Sequence, residues 1–338
     1  MTETMKAVRL HEFGGPEVLR YEIAPRPVVA GGKVLVQVYA AGINPPDLYL
    51  RDGYRALPPE WRPEPIFPLI PGTDMSGIVA AVGDGVSGFN IGDEVYAMVR
   101  FPSDLMKGSG AYAEYVCVPA SELAPKPAGI DHIQASGAPM SLLTAWQFLI
   151  ELGHDAPNPF QSFRHAPIPL EGKTVLVNGA GGGVGHLAVQ VAKWKRARVI
   201  AVASGKHEAL MRDLGADEFI DYTRTAAEAV IRDVDLVIDS VGGPNMERFL
   251  GVIKKGGALF LVNPLGFAGY DDAHSREIIV SSTQVRSNGA QLAEAGRLLE
   301  NGTIRVVIDS TYPLAQASAA HERTYKGGVQ GKVVLVIR

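Results

Sequence analysis

The sequence predicts an α/β protein of two domains, in which a doubly wound parallel sheet is inserted into a β domain built from both ends of the chain. At 338 residues, the chain exceeds the usual size of a single hydrophobic core. Up to about residue 125, short Val- and Gly-rich runs such as "KVLVQVYA" are separated by turn residues, which is typical of all-β structure. From about residue 130, apolar runs alternate with amphipathic segments, and this alternation favours a parallel sheet.

The central region supplies the strands and helices of the parallel sheet. Its apolar runs are "TVLVNGA", "RVIAVAS", "EFIDY", "DLVIDSV" and "ALFLVN". The segments between them include "GVGHLAVQVAKWK" and "KHEALMRDLGA", whose helical periodicity predicts amphipathic helices. One face of the first of these helices carries Val184, Leu187, Ala188 and Val191. We therefore predict a β domain of residues 1–128 and 288–338 and an α/β domain of residues 129–287.

Composition argues against several classes of function. No apolar run reaches the length of about eighteen residues that spans a bilayer, and the N-terminus lacks the pattern of a signal peptide, which favours a cytoplasmic protein. The net charge of -4 and the lack of a Lys/Arg-rich tract argue against nucleic acid and anionic membranes as partners. A single cysteine, Cys117, excludes internal disulfides and a thiolate zinc cluster. Small molecules are therefore the expected partners.

Two Pro-rich stretches interrupt this plan. Proline removes a backbone donor and fixes φ, so residues 54–68 and 154–170 are not expected to form regular elements. We expect the second stretch to be a surface loop. The first directly follows a polar segment at the end of a predicted strand, and it is the better candidate for a lid.

Residues 174–193, "TVLVNGAGGGVGHLAVQVAK", combine a buried-strand pattern, a glycine-rich loop and an amphipathic helix. The pattern A-x-G-x-x-G falls on Ala180, Gly182 and Gly185, where a small residue lets the backbone approach a pyrophosphate at the start of the helix. A tight β–α turn would explain the glycines alone. Because strand, loop, helix and a second strand follow in order, we predict a dinucleotide-binding Rossmann domain. The assigned loop residues are Ala180, Gly182, Gly183, Val184 and Gly185.

The end of the second strand of this domain favours NADPH. An NAD site usually has Asp or Glu about 20 residues beyond the glycine loop, where it binds the ribose 2′-hydroxyl. This chain has Ser204 and Lys206 there, which could hydrogen-bond and pair with a 2′-phosphate. Tyr222 ends the next strand at the same rim, although a solvated lysine and a packed aromatic ring would be purely structural alternatives. The remaining assigned cofactor-binding residues end the run "ALFLVN" and are Val262 and Asn263.

Further motifs span nearly the whole chain. They are "MKAVRLHEFGGPEVL", "GINPPDLYLRDG", "PGTDMSGIVAAVGDGVSGFNIGDEVYA", the glycine loop, "LGADEFIDYT", "DLVIDSVGG" and "GGVQGKVVLV". Together they resemble the medium-chain dehydrogenase/reductase (MDR) superfamily, in particular its zinc-independent quinone oxidoreductase branch. The resemblance implies a GroES-like β catalytic domain, a Rossmann domain, and a nicotinamide cleft at their junction. It also implies a homodimer paired through the last Rossmann strand, here "EIIVSSTQV" (277–285).

The same resemblance predicts that no metal takes part. Zinc-binding members carry His-Glu where this chain has Thr73 and Asp74, a cysteine at the position of Asn44, and a further cysteine near Pro139. The eight histidines also lack the spacing of a zinc ligand set. Without a metal, the protein supplies orientation and donors for the oxyanion that develops when a reduced nicotinamide delivers hydride. Conjugated enones, enals and quinones suit this chemistry, and water can provide the proton.

By resemblance, the catalytic residues are Asn44, Tyr49 and Tyr54. Asn44 takes the place of an asparagine beside the nicotinamide, and Thr144 matches a threonine that contacts the same ring region. Tyr49 matches a tyrosine of the quinone-reductase pocket, whereas Tyr54 lies one residue earlier than the proton-donor tyrosine of enoyl-thioester reductases. The structural alternatives are a turn cap for Asn44 and packed rings for the tyrosines. Asp47 is expected to be structural and to accept hydrogen bonds from the backbone or from an arginine.

These observations predict a zinc-independent, NADPH-dependent oxidoreductase that transfers hydride to a quinone or an α,β-unsaturated carbonyl compound. One alternative is an enoyl-thioester reductase. Another is a non-catalytic cofactor-binding protein or sensor, like the lens crystallins and RNA-binding members of the family, although the polar residues Asn44, Tyr49 and Thr144 argue for catalysis. The sequence does not identify the physiological substrate.

Overall fold

A computed structural model describes residues 3–62, 64–99, 110–151 and 165–338. The strands are β1 (Thr4–Arg9), β2 (Arg20–Pro25), β3 (Lys33–Gly42), β4 (Asp74–Val82), β5 (Glu94–Met98), β6 (Tyr115–Pro119), β7 (Ala124–Pro125), β8 (Thr174–Asn178), β9 (Arg198–Ala203), β10 (Glu218–Asp221), β11 (Val234–Asp239), β12 (Ile253–Leu261), β13 (Ile279–Ser281), β14 (Ile308–Pro313) and β15 (Lys332–Val336). The helices are α1 (Pro45–Asp52), α2 (His132–Gly137), α3 (Pro139–Leu149), α4 (Gly183–Trp194), α5 (Glu208–Asp213), α6 (Ala227–Val230), α7 (Tyr270–Ser275), α8 (Gly289–Glu300) and α9 (Ala317–Tyr325).

The chain divides into two compact units, each with its own hydrophobic core. The first unit comprises residues 1–143, 287–302 and 306–338. The second comprises residues 144–286 and 303–305. The first is therefore assembled from both ends of the chain, and the second is nearly continuous.

A seven-stranded sheet forms the framework of the first unit. Its order is β14-β15-β3-β4-β5-β7, and β6 also pairs with β3. β14 and β15 run parallel, whereas the other pairs are antiparallel. Val334 of β15 lies opposite Gly42 of β3, so the last strand of the chain completes a sheet that begins near the N-terminus. The sheet of the first unit is thus built from strands of both ends of the chain.

Residues 129–143, which the sequence assigned to the α/β region, belong to the first unit. α2 lies against the end of β3, where a Cβ on Gly42 would come within 2.3 Å of the carbonyl oxygen of Ser136. Only glycine permits this close approach of helix and strand. At the other end of α2, Asp131 caps the helix, because its Oδ1 accepts a hydrogen bond of 2.7 Å from the Gln134 amide.

The second unit is a doubly wound parallel sheet, as the alternation of strands and helices predicted. Its six strands have the order β10-β9-β8-β11-β12-β13, and all pairs run parallel. The order reverses between β8 and β11. In open α/β sheets, ligands bind at the carboxyl ends of the strands where this reversal occurs.

α4 is buried more completely than the sequence predicted. Leu187, Ala188 and Val191 are buried as expected, but Val184 is partly exposed. Gln190, which is not part of the predicted face, is also buried. Its side-chain amide donates to the carbonyl of Arg305 at 3.0 Å and accepts from the Arg305 amide at 2.8 Å. The short segment 303–305 thus covers a second face of the helix.

The two Pro-rich stretches differ in how much of them the structure describes. The first contains a 3₁₀ turn at Pro59–Trp61, so the expectation that it holds no regular element is wrong for these three residues. Proline suits the first position of such a turn, because its missing N–H would have no partner there. Residue 63 and residues 152–164 lie outside the described residues. Most of the second stretch therefore lies outside them as well, and the lid stays a prediction.

Candidate active site

The segment after β3 is the helix α1, so Asn44 caps a helix and not the turn that was considered as its structural alternative. Asn44 precedes α1, Pro45 occupies the first helical position, and Gly53 ends the helix with a left-handed φ of 77°. The Asn44 amide donates to Oδ2 of Asp47 at 2.9 Å, as in a capping box. Proline at the first position, an acid three residues after the cap and a terminal glycine are the local signals for this helix.

The side chain of Asn44 is held by hydrogen bonds on both of its polar atoms. Nδ2 donates to Oγ1 of Thr73 at 3.1 Å and to Oδ2 of Asp74 at 2.8 Å. Oδ1 accepts a hydrogen bond from the ammonium group of Lys332. Both N–H groups are therefore used, and Oδ1 of the buried Asn44 has one lone pair beyond its hydrogen bond to Lys332. Asn44 is suited to accept a hydrogen bond and not to donate one.

Lys332, which the sequence assignment missed, is buried within this network. Its Nζ also donates to the carbonyl of Ile43 at 3.0 Å and lies 3.8 Å from Oδ2 of Asp74. The side chain of Lys332 is 3% exposed and that of Asp74 is 0% exposed. Asp74 accepts a further hydrogen bond of 2.9 Å from the Met140 amide. A lysine at the start of an apolar strand, in "GKVVLV", was the available signal, because buried lysines are rare unless they are paired.

We call Asn44, Asp47, Thr73, Asp74 and Lys332 the Asn44 cluster. Within it, Oδ2 of Asp47 accepts hydrogen bonds from the Asn44 amide at 2.9 Å and from the hydroxyl of Thr73 at 3.3 Å. Oδ1 of Asp47 has no hydrogen-bond partner among the described residues. The expected backbone hydrogen bond to Asp47 is therefore confirmed.

A second set of buried side chains continues from Asp47. The hydroxyl of Tyr112 lies 3.3 Å from Oδ2 of Asp47 and 3.1 Å from Nε2 of His321. The guanidinium of Arg51 lies 3.4 Å from Nδ1 of His321, so the arginine expected next to Asp47 contacts the imidazole instead. Arg51 can only donate, which makes Nδ1 the acceptor and places the imidazole proton on Nε2. His321 then donates to Tyr112, and Tyr112 donates to Asp47.

Burial sets the protonation of these groups. It raises the pKa of Asp47 to about 7 and the pKa of Asp74 to about 6. The Lys332 ammonium opposes this effect at both carboxyls, while its own pKa is lowered by burial. Burial, together with the charge of Arg51, lowers the pKa of His321 to about 3, so the imidazole is neutral at physiological pH. The cluster thus has one buried ammonium for two buried carboxyl groups. Near neutral pH a proton can therefore still be bound by one of the two carboxyl groups.

The two predicted tyrosines lie together at the C-terminal end of α1. Their rings meet edge to face with centroids 6.1 Å apart. Tyr54 has a left-handed φ of 53°, a conformation that costs a non-glycine residue on the order of 1–2 kcal/mol. It packs against the buried leucines Leu10, Leu50 and Leu69. Burial raises the pKa of both phenols, so at neutral pH they can donate hydrogen bonds but are weak acids.

No group of three or more His, Cys, Asp or Glu side chains that could hold a metal is found within the described residues. Where zinc-binding relatives carry ligands, this chain has Asn44, Thr73 and Asp74, and the ammonium of Lys332 contacts two of these three side chains. An ammonium group and a metal cation compete for the same oxygen atoms. The chemistry of this donor set therefore favours hydrogen bonding over metal ligation.

In the second unit, the glycine loop connects β8 to α4. Gly179, which the assignment omitted, has a left-handed φ of 76°. A Cβ on Gly185 would lie 2.2 Å from the carbonyl oxygen of Gly179, so this glycine allows the helix to start directly against the strand. A Cβ on Gly182, by contrast, would have its nearest neighbour, the carbonyl oxygen of Gly179, at 3.4 Å, which is an ordinary contact distance. The loop thus leaves space at the first turn of α4, where unpaired N–H groups bind phosphate.

The rim formed by β9 and β10 brings together Ser204, Lys206 and Tyr222. Ala203 lies opposite Asp221 in the sheet, and the Tyr222 amide donates to the carbonyl of Ala203 at 3.2 Å. No Asp or Glu follows β9 directly in the sequence, but the neighbouring strand β10 ends at Asp221 and brings a carboxylate to this rim. Its Oδ2 lies 2.5 Å from the position of a Cβ on Gly205. Hydrogen bonds from Thr223 lower the pKa of Asp221, which therefore carries a negative charge.

Asn178 and Asp239 end β8 and β11, on the two sides of the point where the strand order reverses. Nδ2 of Asn178 donates to Oδ1 of Asp239 at 2.8 Å. Oδ2 of Asp239 is buried and has no hydrogen-bond partner among the described residues, so it can accept one from a ligand hydroxyl. Val262 and Asn263 follow β12 at the same edge, where the Val262 amide donates to the carbonyl of Asp239. These features of the strand ends fit the binding of a dinucleotide. Thr144, which was also predicted to bind the cofactor, is buried within α3.

Comparison with known proteins gives the same architecture. A family model described as an alcohol dehydrogenase GroES-like domain matches residues 30–128, and one described as a zinc-binding dehydrogenase matches residues 214–335. The mouse protein named NAD(P)H oxidoreductase RTN4IP1, mitochondrial, is 32% identical over 98% of this chain and 89% of its own length. The human quinone oxidoreductase is 30% identical over 98% of both chains.

The chain belongs to the MDR superfamily. Within it, this chain is similar to the quinone oxidoreductases. The solved structure of the quinone oxidoreductase from Coxiella burnetii superposes with a TM-score of 0.84 at 30% identity and covers 99% of this chain and 100% of that one. A GroES-like domain, a Rossmann domain and an oxidoreductase activity with a nicotinamide cofactor follow from this membership. No helix in the described part of the chain is long and apolar enough to cross a membrane.

Proposed function

We propose that this MDR protein is a zinc-independent reductase that uses NADPH to transfer hydride to a quinone or an α,β-unsaturated carbonyl compound. The observation that carries the proposal is the Asn44 cluster. In it, Asn44, Thr73 and Asp74 stand where zinc-binding relatives carry ligands, and the carboxyl group of Asp47 and the ammonium of Lys332 contact them. Such a cluster orients groups by hydrogen bonding. Conjugated acceptors need orientation and a hydrogen-bond donor at the carbonyl oxygen more than they need a Lewis acid.

Each part of the chain has a separate task in this proposal. The glycine loop and the first turn of α4 hold the pyrophosphate, and Asp239 accepts a ribose hydroxyl through its unpaired Oδ2. Reduced nicotinamide supplies the hydride. Asn44 would accept a hydrogen bond from the carboxamide N–H of that cofactor through the remaining lone pair of Oδ1, and the protonated phenols of Tyr49 and Tyr54 would donate to the acceptor carbonyl.

The preference for NADPH rests on Ser204, Lys206 and Tyr222 at the rim of β9 and β10. We expect Lys206→Ala to raise the KM for NADPH by about tenfold or more, since losing a charge-assisted hydrogen bond costs about 1.5–3 kcal/mol. The KM for NADH should stay nearly unchanged. Steady-state kinetics with both cofactors provide the measurement, and Lys173→Ala, at the opposite end of the sheet, serves as the control. Equal effects on both cofactors would contradict the 2′-phosphate role.

The charge of Asp221 favours NADH as the second candidate cofactor, because a carboxylate at this rim repels a 2′-phosphate and can accept a ribose hydroxyl. Asp221→Asn separates the two cofactors. If NADPH is the natural cofactor, the variant binds it as tightly as the wild type or more tightly. A selective loss of NADH affinity, together with weak binding of NADPH by the wild type, would assign the site to NADH.

The overall proposal is tested by a screen of NADPH oxidation. Purified protein is expected to show quenching of its tryptophan fluorescence by NADPH and to reduce members of a panel of quinones, enones and enals. Comparison of 1,2-naphthoquinone with a crotonyl thioester distinguishes this activity from that of an enoyl-thioester reductase. Tight binding of NADPH without turnover of any acceptor would support the non-catalytic alternative instead.

Two further features stay predictions. The first is a homodimer paired through β13 and the residues that follow it, and native mass spectrometry would measure it. The second is a cytoplasmic location. The mouse relative is named as mitochondrial, so imaging of the tagged protein in its native cell is the relevant experiment.

A further inference from the structure

We propose that Lys332 is a positioning residue of the reaction: its ammonium group fixes the side-chain amide of Asn44 as a hydrogen-bond acceptor toward the nicotinamide. This inference rests on the proposed function and deepens it, because it names a residue on which hydride transfer depends although that residue contacts neither cofactor nor substrate. Lys332 acts through Asn44 alone. It is 288 positions distant from Asn44 in the sequence.

The hydrogen-bond partners of Asn44 fix which way round its amide lies. An asparagine amide has two orientations, related by exchange of oxygen and nitrogen. The ammonium of Lys332 can only donate, so the atom beside it is Oδ1. Nδ2 then faces Asp74 and Thr73, both of which accept its hydrogen bonds. Flipping the amide would place N–H groups against an ammonium and an oxygen against a carboxylate.

The charge of Lys332 also affects Asp74, the partner of Nδ2. Asp74 fixes Nδ2 only while its carboxylate is ionised, because a protonated carboxyl group can donate as well as accept. The ammonium, 3.8 Å from Oδ2 of Asp74, is the cation that favours the ionised form in a site where both side chains are buried. Removing the ammonium therefore affects Asn44 in two ways. Oδ1 loses its hydrogen-bond donor, and Asp74, the acceptor for Nδ2, loses the cation that favours its ionised form.

Lys332 also contacts the backbone beneath the Asn44 amide. Nζ of Lys332 donates to the carbonyl of Ile43 at 3.0 Å, at the junction between β3 and α1. Lys332 itself opens β15, which pairs with both β3 and β14. The ammonium thus holds the side chain of Asn44 and the backbone of the preceding residue against one rigid sheet. Small displacements matter here, because a misplacement of about 1 Å can slow a reaction by about 100-fold.

The experiment is a double-mutant cycle on hydride transfer. The rate constant for oxidation of bound NADPH by 1,2-naphthoquinone is measured in single turnovers for wild type, Lys332→Met, Asn44→Ala and the double variant. We expect Lys332→Met to slow this step by about 10- to 100-fold while the Kd for NADPH changes less than about threefold. If Lys332 acts through Asn44, adding Lys332→Met to Asn44→Ala causes little further loss.

A matched control excludes a general effect of removing a buried lysine. Lys126 has a side chain that is 5% exposed, donates to the carbonyl of Ile130 at 2.6 Å and pairs with Glu94 at 3.3 Å. Lys126→Met should leave the hydride-transfer rate within about twofold of wild type. Circular dichroism and thermal melting report whether each variant is folded. If Lys332→Met does not fold, Lys332→Gln, which keeps an N–H donor without the charge, takes its place in the cycle.

The outcomes are distinct. Additive losses in the cycle would overturn the inference, since they would show that Lys332 does not act through Asn44. A rate for Lys332→Met within twofold of wild type, or an undiminished rate for Asn44→Ala, would overturn it as well. Each of these results leaves the proposed function intact, because the wild type is active in them. A wild type that neither binds NADPH nor reduces any acceptor would instead overturn the proposed function and this inference together.

Discussion

Replacing Asp74 with alanine is expected to lower the free energy of unfolding of the first unit by about 3–5 kcal/mol, the usual cost of breaking a buried ion pair from one side. The substitution leaves the Lys332 ammonium without its anionic partner at 3.8 Å. It also removes the acceptor for Nδ2 of Asn44 at 2.8 Å and for the Met140 amide at 2.9 Å. Urea denaturation at pH 7, followed by circular dichroism, measures the loss.

Two comparisons make this result specific. Glu171→Ala breaks an exposed pair, with Arg196 at 2.7 Å, and should cost less than about 1 kcal/mol. The double variant Asp74→Asn, Lys332→Met removes both charges and should be more stable than Asp74→Ala, because no unpaired ion stays buried. A loss for Asp74→Ala as small as that for Glu171→Ala would show that water reaches Lys332 and that the pair is not truly buried.

The stability of the first unit is expected to fall as the pH rises from about 4 to about 7, and Asp47 is the main cause. The folded protein keeps the proton of Asp47 up to a pKa of about 7, whereas the unfolded chain releases it near 3.8. Between these values the folded state binds more protons than the unfolded state, so raising the pH favours unfolding. Above a pH of about 7, Asp47 is ionised in both states, so its ionisation no longer changes the free energy of unfolding. Asp74, with a folded pKa of about 6, contributes in the same direction.

Asp47→Asn tests this dependence, because asparagine keeps the acceptor oxygen for Asn44, Thr73 and Tyr112 but does not ionise. Relative to wild type, the variant should gain about 2–3 kcal/mol of unfolding free energy between pH 5 and pH 8. Urea denaturation at several pH values provides the measurement. A difference between variant and wild type that is constant with pH would show that Asp47 is ionised in the folded protein across this range.

Asp309→Asn is the matched control for this prediction. Burial tends to raise the pKa of Asp309, but hydrogen bonds from Gln330, Ser310 and Arg323 outweigh it and lower the pKa. Asp309 is therefore ionised in both the folded and the unfolded state at pH 5–8. Its removal should cost the same free energy at every pH in that range, in contrast to Asp47→Asn.

The sequence was a good guide to the second unit because its signals are local. Gly182 and Gly185 occur within one turn of a predicted strand and helix, and the alternation of apolar runs and amphipathic segments sufficed to predict a parallel sheet. The same locality explains why the carboxylate at the rim of β9 was missed. Asp221 lies 17 residues after Ser204 in the sequence, and only the pairing of β9 with β10 places its carboxylate beside Gly205.

The candidate site in the first unit was predictable only in part. Asn44 was found because the motif around it resembles that of relatives, and the helix α1 was missed although Pro45, Asp47 and Gly53 each suit a helix end. The partners of these residues could not be found from local sequence. Lys332 joins the Asn44 cluster, and Tyr112 and His321 extend from Asp47, only through contacts between distant parts of the chain. A lysine in a strand or a histidine in a helix has many other roles.

The pairing of β15 with β3 has a consequence for how the protein is made. During translation, β3 and α1 emerge early, but β15 follows only after the whole second unit has been synthesised. The second unit is continuous apart from residues 303–305 and can fold while the chain is being synthesised. The sheet of the first unit stays incomplete, because the edge of β3 that pairs with β15 has no partner until β15 is made. Until Lys332 is synthesised, Asp74 lacks the ammonium that lies 3.8 Å from its carboxyl group in the folded protein. Until β15 is synthesised, the unpaired edge of β3 is open to pairing with other chains, so the first unit is the part of the molecule at risk of association during synthesis.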